Sequence, residues 1–139
     1  MTFTCDATAL DVRRMLAELQ ECLAVETIAD DDRGTVDIAL AEALNNIVEH
    51  AYHPDTPGTI TLTLWIGPTR VSCELRDKGV ALPGLEPPHA AAPDVTGPRE
   101  TLPEGGFGWS IIHALTARLC YLRDGAENRL ILDFDIASS

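Results

Sequence analysis

The chain of 139 residues carries 10 Lys and Arg against 22 Asp and Glu, a formal net charge of −12 at pH 7, and so offers no basic stripe to a nucleic acid or an anionic membrane. Its 45% apolar content is enough to fill a core, and a single core commonly encloses about 100–150 residues, so one globular domain over residues 1–139 is expected. Cys5, Cys22, Cys73 and Cys120 form no Cys-x-x-Cys pair and have no His at ligand spacing, which reads as buried thiols in a reducing cytosol rather than a zinc site or a disulfide framework. The first thirty residues mix acids and arginines among apolar positions, and no apolar run approaches the ~20 residues of a bilayer span, so the expected localisation is cytoplasmic.

A short β-like start at residues 2–5 leads into residues 8–25. There Val12, Leu16, Leu19 and Leu23 recur at steps of four, three and four, one face of a helix that Asp6 or Thr8 caps. Asp30, Asp31 and Asp32 precede a second amphipathic stretch whose apolar stripe is Val36, Leu40, Leu44, Ile47 and Ala51. Acids near its start suit the helix dipole, and it ends near residues 50–52, ahead of His53-Pro54. Pro57-Gly58 opens two alternating, β-branched runs, 59–66 and 69–76, separated by Gly67-Pro68, which predicts an antiparallel hairpin.

Pro83, Pro87, Pro88, Pro93, Pro98 and Pro103 then forbid regular structure between residues 77 and 105. An irregular stretch of that length inside a domain is an active-site lid or a disordered loop, and the lid is placed at about residues 80–104. A third helix over 108–118, with Ile111, Ile112, Leu115 and Leu119 inward, precedes a second hairpin, 119–123 and 129–136, around Asp124-Gly125. The order strand, helix, helix, hairpin, lid, helix, hairpin predicts an α+β fold: a two-layer α/β sandwich with helices on one face of a mixed, mostly antiparallel sheet.

Chemistry has three candidate seats. Glu42, Asn46 and His50 follow at four-residue steps and form a polar row beside the buried stripe of the second helix. A carboxylate can take a proton from an attacking hydroxyl and a carboxamide oxygen can bind magnesium, although a solvated helix face is the commoner reason for such a row. His50 and His53 read as helix-end caps. Asp77-x-Gly79 either caps a turn or offers a carboxylate to an exocyclic amine such as that of adenine. Gly105-Gly106-Phe107-Gly108 directly before a helix lets backbone N–H groups approach a phosphate, yet it is not a Walker loop, since no Lys-Ser/Thr follows.

Taken in order, Glu-x-x-x-Asn on a helix, Asp-x-Gly after a hairpin strand, a Pro-rich lid and Gly-x-Gly before a helix resemble the GHKL ATP-binding fold, the histidine-kinase-like ATPase or Bergerat fold. More narrowly, Ala41-Glu42-Ala43-Leu44-Asn45-Asn46, Arg76-Asp77-Lys78-Gly79 and Gly106-Phe107-Gly108-Trp109-Ser110 resemble bacterial anti-sigma factor serine/threonine-protein kinases of the RsbW and SpoIIAB type. The resemblance implies Glu42 as catalytic base, Asn46 as magnesium ligand and nucleotide contact, and Asp77 as the adenine contact with Gly79 beside it. It also implies Gly106 and Gly108 as phosphate contacts and Arg99 in the lid as a phosphate partner.

With it come ATP and Mg2+ as cofactors, a STAS-like antagonist protein as phosphoryl acceptor, a sigma factor as regulated partner, and a homodimer as the usual assembly. The rival readings are a non-catalytic, ATP-dependent partner-binding module and a stand-alone histidine-kinase-like ATPase domain. Two positions depart from the pattern. Ala81 stands where the adenine motif commonly carries a second glycine, and Leu130-Ile131-Leu132 in the final strand lacks the threonine that related ATPases often place near the base.

Overall fold

Alternation at every second residue makes the segments Thr59–Ile66 and Arg70–Asp77 strands with one buried side: Ile60, Leu62 and Leu64 in the first, Val71, Cys73 and Leu75 in the second. The computed structural model describes residues 1–52, 58–82 and 106–137, with the backbone alone for Gly106 and Phe107. The sequence-predicted lid from residue 83 onward, Arg99 included, lies outside the described residues.

In chain order the elements are β1 (Thr2–Asp6), α1 (Ala9–Val25), α2 (Asp30–Asn46) continued by a π-helical turn (Ile47–Ala51), β2 (Thr59–Ile66), β3 (Arg70–Asp77), α3 (Gly106–Leu115), β4 (Arg118–Asp124) and β5 (Glu127–Asp135). The strands form one sheet in the order β1-β2-β3-β5-β4. Rows such as Leu62–Leu75–Leu130–Tyr121 and Leu64–Cys73–Leu132–Leu119 cross the strands on the side where the three helices pack. Thr61, Arg76 and Arg129 share the opposite face, so the α+β sandwich with helices on one side is as expected.

The sheet is not mixed among the described residues: all four pairings are antiparallel. Two helices lie between β1 and β2, and with a reversal at each of the three junctions the chain returns antiparallel. The single helix between β3 and β4 makes those two strands run in the same direction, but β5 is inserted between them and converts both contacts to antiparallel ones.

Thr8, not Asp6, caps α1: its Oγ1 accepts from the Asp11 N–H at 3.2 Å. The buried face of α1 is Val12, Met15, Leu19 and Leu23, with Leu16 at its margin. Asp30, Asp31 and Asp32 form the first turn of α2 itself, where they face the positive end of the dipole, and Arg33 pairs with Asp30. Helix α3 stops at Leu115, three residues earlier than the sequence suggests. The Thr116 N–H and Oγ1–H both turn back to Ile112 O (3.1 and 2.8 Å), and the Ala117 N–H already donates to Asp133 O in the sheet (2.8 Å). Trp109 and Ile112 are its buried pair, whereas Ile111 is 36% exposed and Leu119 belongs to β4. Gly125 opens the two-residue β4–β5 connection with φ +61°, a value suited to glycine. None of the described helices is long and apolar enough to cross a membrane.

Helix α1 ends in a pair of reverse bonds, Ile28 N–H to Leu23 O (3.0 Å) and Thr27 N–H to Ala24 O (3.0 Å), which places Thr27 in the left-handed region at φ 60°. A β-branched residue is strained there. Thr27→Gly is expected to raise stability by about 0.5–1 kcal/mol in urea unfolding, the relief of strain outweighing the added chain entropy. An unchanged or lower midpoint would show that this helix end is not under strain.

Candidate functional site

Helix α2 and its π-helical turn touch both of the other candidate segments. Glu42, half-buried on α2, lies against the start of α3: a Cβ added to Gly108 would stand 2.8 Å from Glu42 Oε2. Only a residue without a side chain lets the first turn of α3 come this close to the carboxylate without moving it. The first turn, from Gly106, carries N–H groups with no partner inside the helix, and such groups form a ready seat for phosphate oxygens. Asn46, one turn beyond Glu42, is half-buried on the same helix, while His50 is exposed and pairs with its neighbour Glu49 at 3.6 Å.

The second contact is made by the end of the π turn. A Cβ on Gly79 would be driven into the carbonyl of Ala51, and the next residue, Val80, donates its N–H to that same Ala51 oxygen at 2.7 Å. Tyr52 adds a clamp: its hydroxyl donates to Thr59 O (2.9 Å) and accepts from the Lys78 N–H (2.6 Å). The loop after β3 is thereby fixed to the helix that carries Glu42 and Asn46.

Asp77 ends β3 and is 5% exposed. Its Oδ1 accepts from the Gly79 N–H (2.9 Å), the turn-capping bond that Asp-x-Gly leads one to expect, and from Asn128 Nδ2 (2.9 Å) across the sheet. Burial pushes the Asp77 carboxyl above its ordinary pKa, with Glu127 adding to the rise; the bonds from Asn128 and Gly79 and the charge of Arg123 oppose it without cancelling it.

Sequence reasoning named Glu42, Asn46, Asp77, Gly79, Gly106 and Gly108, and these fall on the segments that the two contacts join. It missed Asn128, Tyr121, Arg123 and Tyr52. Asn128 bonds Asp77 only because β5 pairs with β3 in the register Asp77↔Asn128, a partnership between residues 51 apart that no local pattern announces. Tyr52 carried a weak signal, as an aromatic at a helix end before a Pro-containing turn.

For metal binding the donors are few. Among the described residues no three His, Cys, Asp or Glu side chains converge. The Asn46 carboxamide oxygen is a hard neutral ligand of the kind magnesium takes when phosphate oxygens and water fill the remaining positions, so the donor set fits a metal that arrives with a nucleotide.

Asp77→Asn keeps an oxygen for Gly79 and Asn128 while removing the buried charge. Because the folded carboxyl has a raised pKa, its stabilising contribution is full below the unfolded value near 3.8 and is lost as pH climbs through the folded value. The stability of the native chain relative to Asp77→Asn should therefore fall as pH rises from about 4 and then level off. Parallel urea titrations across that range test the sign, and a difference that grows with pH would refute it.

A family model described as "Histidine kinase-like ATPase domain" matches residues 5–134. The serine/threonine-protein kinase BtrW of Bordetella bronchiseptica is 34% identical over 100 residues, covering 72% of this chain and 68% of that protein. The serine-protein kinase RsbW of Bacillus mycoides is 34% identical over 97 residues, 69% of this chain and 60% of its own length. In three dimensions the chain superposes on the crystal structure of the RsbU and RsbW domains of a Mycobacterium tuberculosis protein with a TM-score of 0.66 at 20% identity, over 98% of this chain and 32% of that one. A likeness in fold extends to the histidine kinase domain of an Erythrobacter litoralis blue-light-activated kinase, with a TM-score of 0.52 at 14% identity, covering 90% of this chain and 61% of that one. With a family match over nearly the whole chain and relatives that are 34% identical over the aligned 97–100 residues, the chain belongs to the histidine kinase-like ATPase domain family, on the branch of the RsbW-type serine-protein kinases.

Proposed function

We propose that the chain binds Mg-ATP and transfers the γ-phosphoryl group to a serine or threonine hydroxyl of a small antagonist protein, and that this transfer governs its hold on a sigma factor. The observation that carries the reading is the position of Glu42 beside Gly108. It sets a carboxylate beside the helix N-terminus where phosphate oxygens would sit, which supports Glu42 as the base for a hydroxyl attacking there. The names of the relatives, serine- and serine/threonine-protein kinases, support the choice of acceptor.

In this reading Asp77 accepts from the exocyclic amine of adenine, and Gly79 lets the loop lie flat enough against Ala51 for the base to approach. The N–H groups that begin at Gly106 and Gly108 hold phosphate oxygens, joined by Arg99. Asn46 would hold the magnesium ion, which when bound screens the phosphate charge during transfer. Glu42 takes the proton of the acceptor hydroxyl as its oxygen bonds to the γ-phosphorus and the bond to the β-phosphate oxygen breaks. A STAS-like antagonist as acceptor, a sigma factor as the regulated partner and a homodimeric assembly in the cytoplasm belong to the same proposal.

The test is radiolabelled phosphate transfer from ATP to the antagonist, with nucleotide affinity measured in parallel. Glu42→Gln should leave affinity nearly intact and lower transfer about 10²–10⁴-fold, since it removes proton transfer and not a nucleotide contact. Asn46→Ala should lower both, with added magnesium restoring part of the affinity. Gly108→Ala should fold, because the atom it meets is the movable end of a side chain, yet it should slow transfer by displacing the Glu42 carboxylate. Wild-type transfer by Glu42→Gln would end the kinase assignment of that residue.

A further inference from the structure

The adenine reading of Asp77 leaves open how a buried carboxyl group is held and aimed. The described structure carries an unusually complete answer on the two strands farthest along in sequence. Asn128 on β5 is 5% exposed. Its Nδ2 donates to Asp77 Oδ1 (2.9 Å) and to Val80 O (3.0 Å), with Gly79 O at 3.4 Å sharing the second hydrogen. Its Oδ1 accepts from Arg123 Nη1 (2.9 Å) and from the Tyr121 hydroxyl. Arg123 also donates through Nη1 to Gly79 O (2.7 Å) and through Nε to Gly125 O (3.0 Å), and the Tyr121 oxygen accepts from the Leu82 N–H (3.1 Å).

Proton bookkeeping makes this arrangement one-directional. A guanidinium can only donate, so the side of the Asn128 amide that meets Arg123 must be its oxygen, and the side that meets Asp77 must be its NH₂. The Tyr121 oxygen already accepts from Leu82, so its own proton goes to Asn128. The side-chain relay then runs from Arg123 and Tyr121 through Asn128 to Asp77. Both described bonds to the carboxylate land on Oδ1, so among the described residues they leave the other oxygen to accept from a ligand. The same amide pins the carbonyls of Gly79 and Val80, the backbone that the nucleobase would lie against.

We infer that Asn128, oriented by Tyr121 and Arg123, is the positioning residue for nucleobase recognition: it aims the Asp77 carboxylate and fixes the 79–82 backbone as one unit. The inference rests on the proposed adenine contact of Asp77 and adds the residues that enforce it. Asn128 is also the polar partner that β5 supplies beside Asp77, in a strand whose Leu130-Ile131-Leu132 segment offers none.

Asn128→Asp is nearly isosteric and reverses the key proton. With both carboxyls ionised, residue 128 cannot donate to Asp77 and repels it; when the pair shares one proton, an O–H···O bond is restored. Among the described residues, the charged and titratable groups around this pair are Arg123 and Tyr121 from β4, Glu127 from β5, and Tyr52 from the end of the π turn. ADP and GDP affinities, measured with magnesium by calorimetry from pH 6 to 8, distinguish the outcomes. The expected result is a loss of ADP affinity of about tenfold or more at pH 8, shrinking toward pH 6, with a narrowed preference for ADP over GDP. Tyr121→Phe, which deletes one hydroxyl and keeps the ring, should weaken ADP about threefold.

A folded Asn128→Asp with the wild-type pH profile and nucleobase preference overturns the inference while leaving the ATP reading in place. If that variant does not melt cooperatively, Tyr121→Phe decides, and unchanged ADP affinity there overturns it equally. A wild-type chain that binds no adenine nucleotide overturns the ATP reading itself, and this inference with it.

Discussion

One carbonyl oxygen, that of Ala51, organises the site. It receives the Val80 N–H and lies so close to Gly79 that no side chain fits between them. The π-helical turn Ile47–Ala51 takes in one extra residue per hydrogen-bonded ring where α2 ends, and the Ala51 carbonyl is its last. The result is a rigid connection between the helix that bears Glu42 and Asn46 and the loop that bears Asp77. Tyr52, immediately after, ties the same junction to β2 and to Lys78. A site assembled from three distant stretches keeps its geometry because its middle element is bonded to one neighbour and pressed against the other.

Asp77 shows how the fold meets the cost of a buried charge. Removing a carboxylate from water is expensive unless hydrogen bonds replace the water, and here two N–H donors and a nearby guanidinium replace part of it. The remainder appears as a pKa still above the ordinary value. A carboxylate in that condition gains from one more donor, and in the proposed adenine contact the exocyclic amine would be that donor.

Much of this was legible along the chain. The four-three-four steps of α1, the alternation of β2 and β3, and the glycine of the β4–β5 turn each act within a few residues, and each formed where expected. The proposed site residues Glu42, Asn46, Asp77, Gly79, Gly106 and Gly108 sit at fixed local spacings, which is why the sequence singles them out. What sequence could not supply depends on partners far apart. The wholly antiparallel pairing follows from the insertion of β5 between β3 and β4. The burial of Trp109 in place of Ile111 follows from how α3 meets α2, and the polar cluster at Asn128 from strand register. The last strand carries no threonine at Leu130-Ile131-Leu132, and it is the register that sets Asn128 of that strand opposite Asp77.

Net charge is a poor guide to the ligand of this site. At −12 the chain as a whole repels polyanions, but beyond about 10 Å salt screens exposed charges, and a phosphate group responds to what lies within that distance. At the start of α3 that is the positive end of a helix, with the Glu42 carboxylate beside it. The spacing between the two is set by Gly108. A side chain there would push the carboxylate away from the helix end, so the proposed pairing of base and phosphate seat depends on the absence of a Cβ.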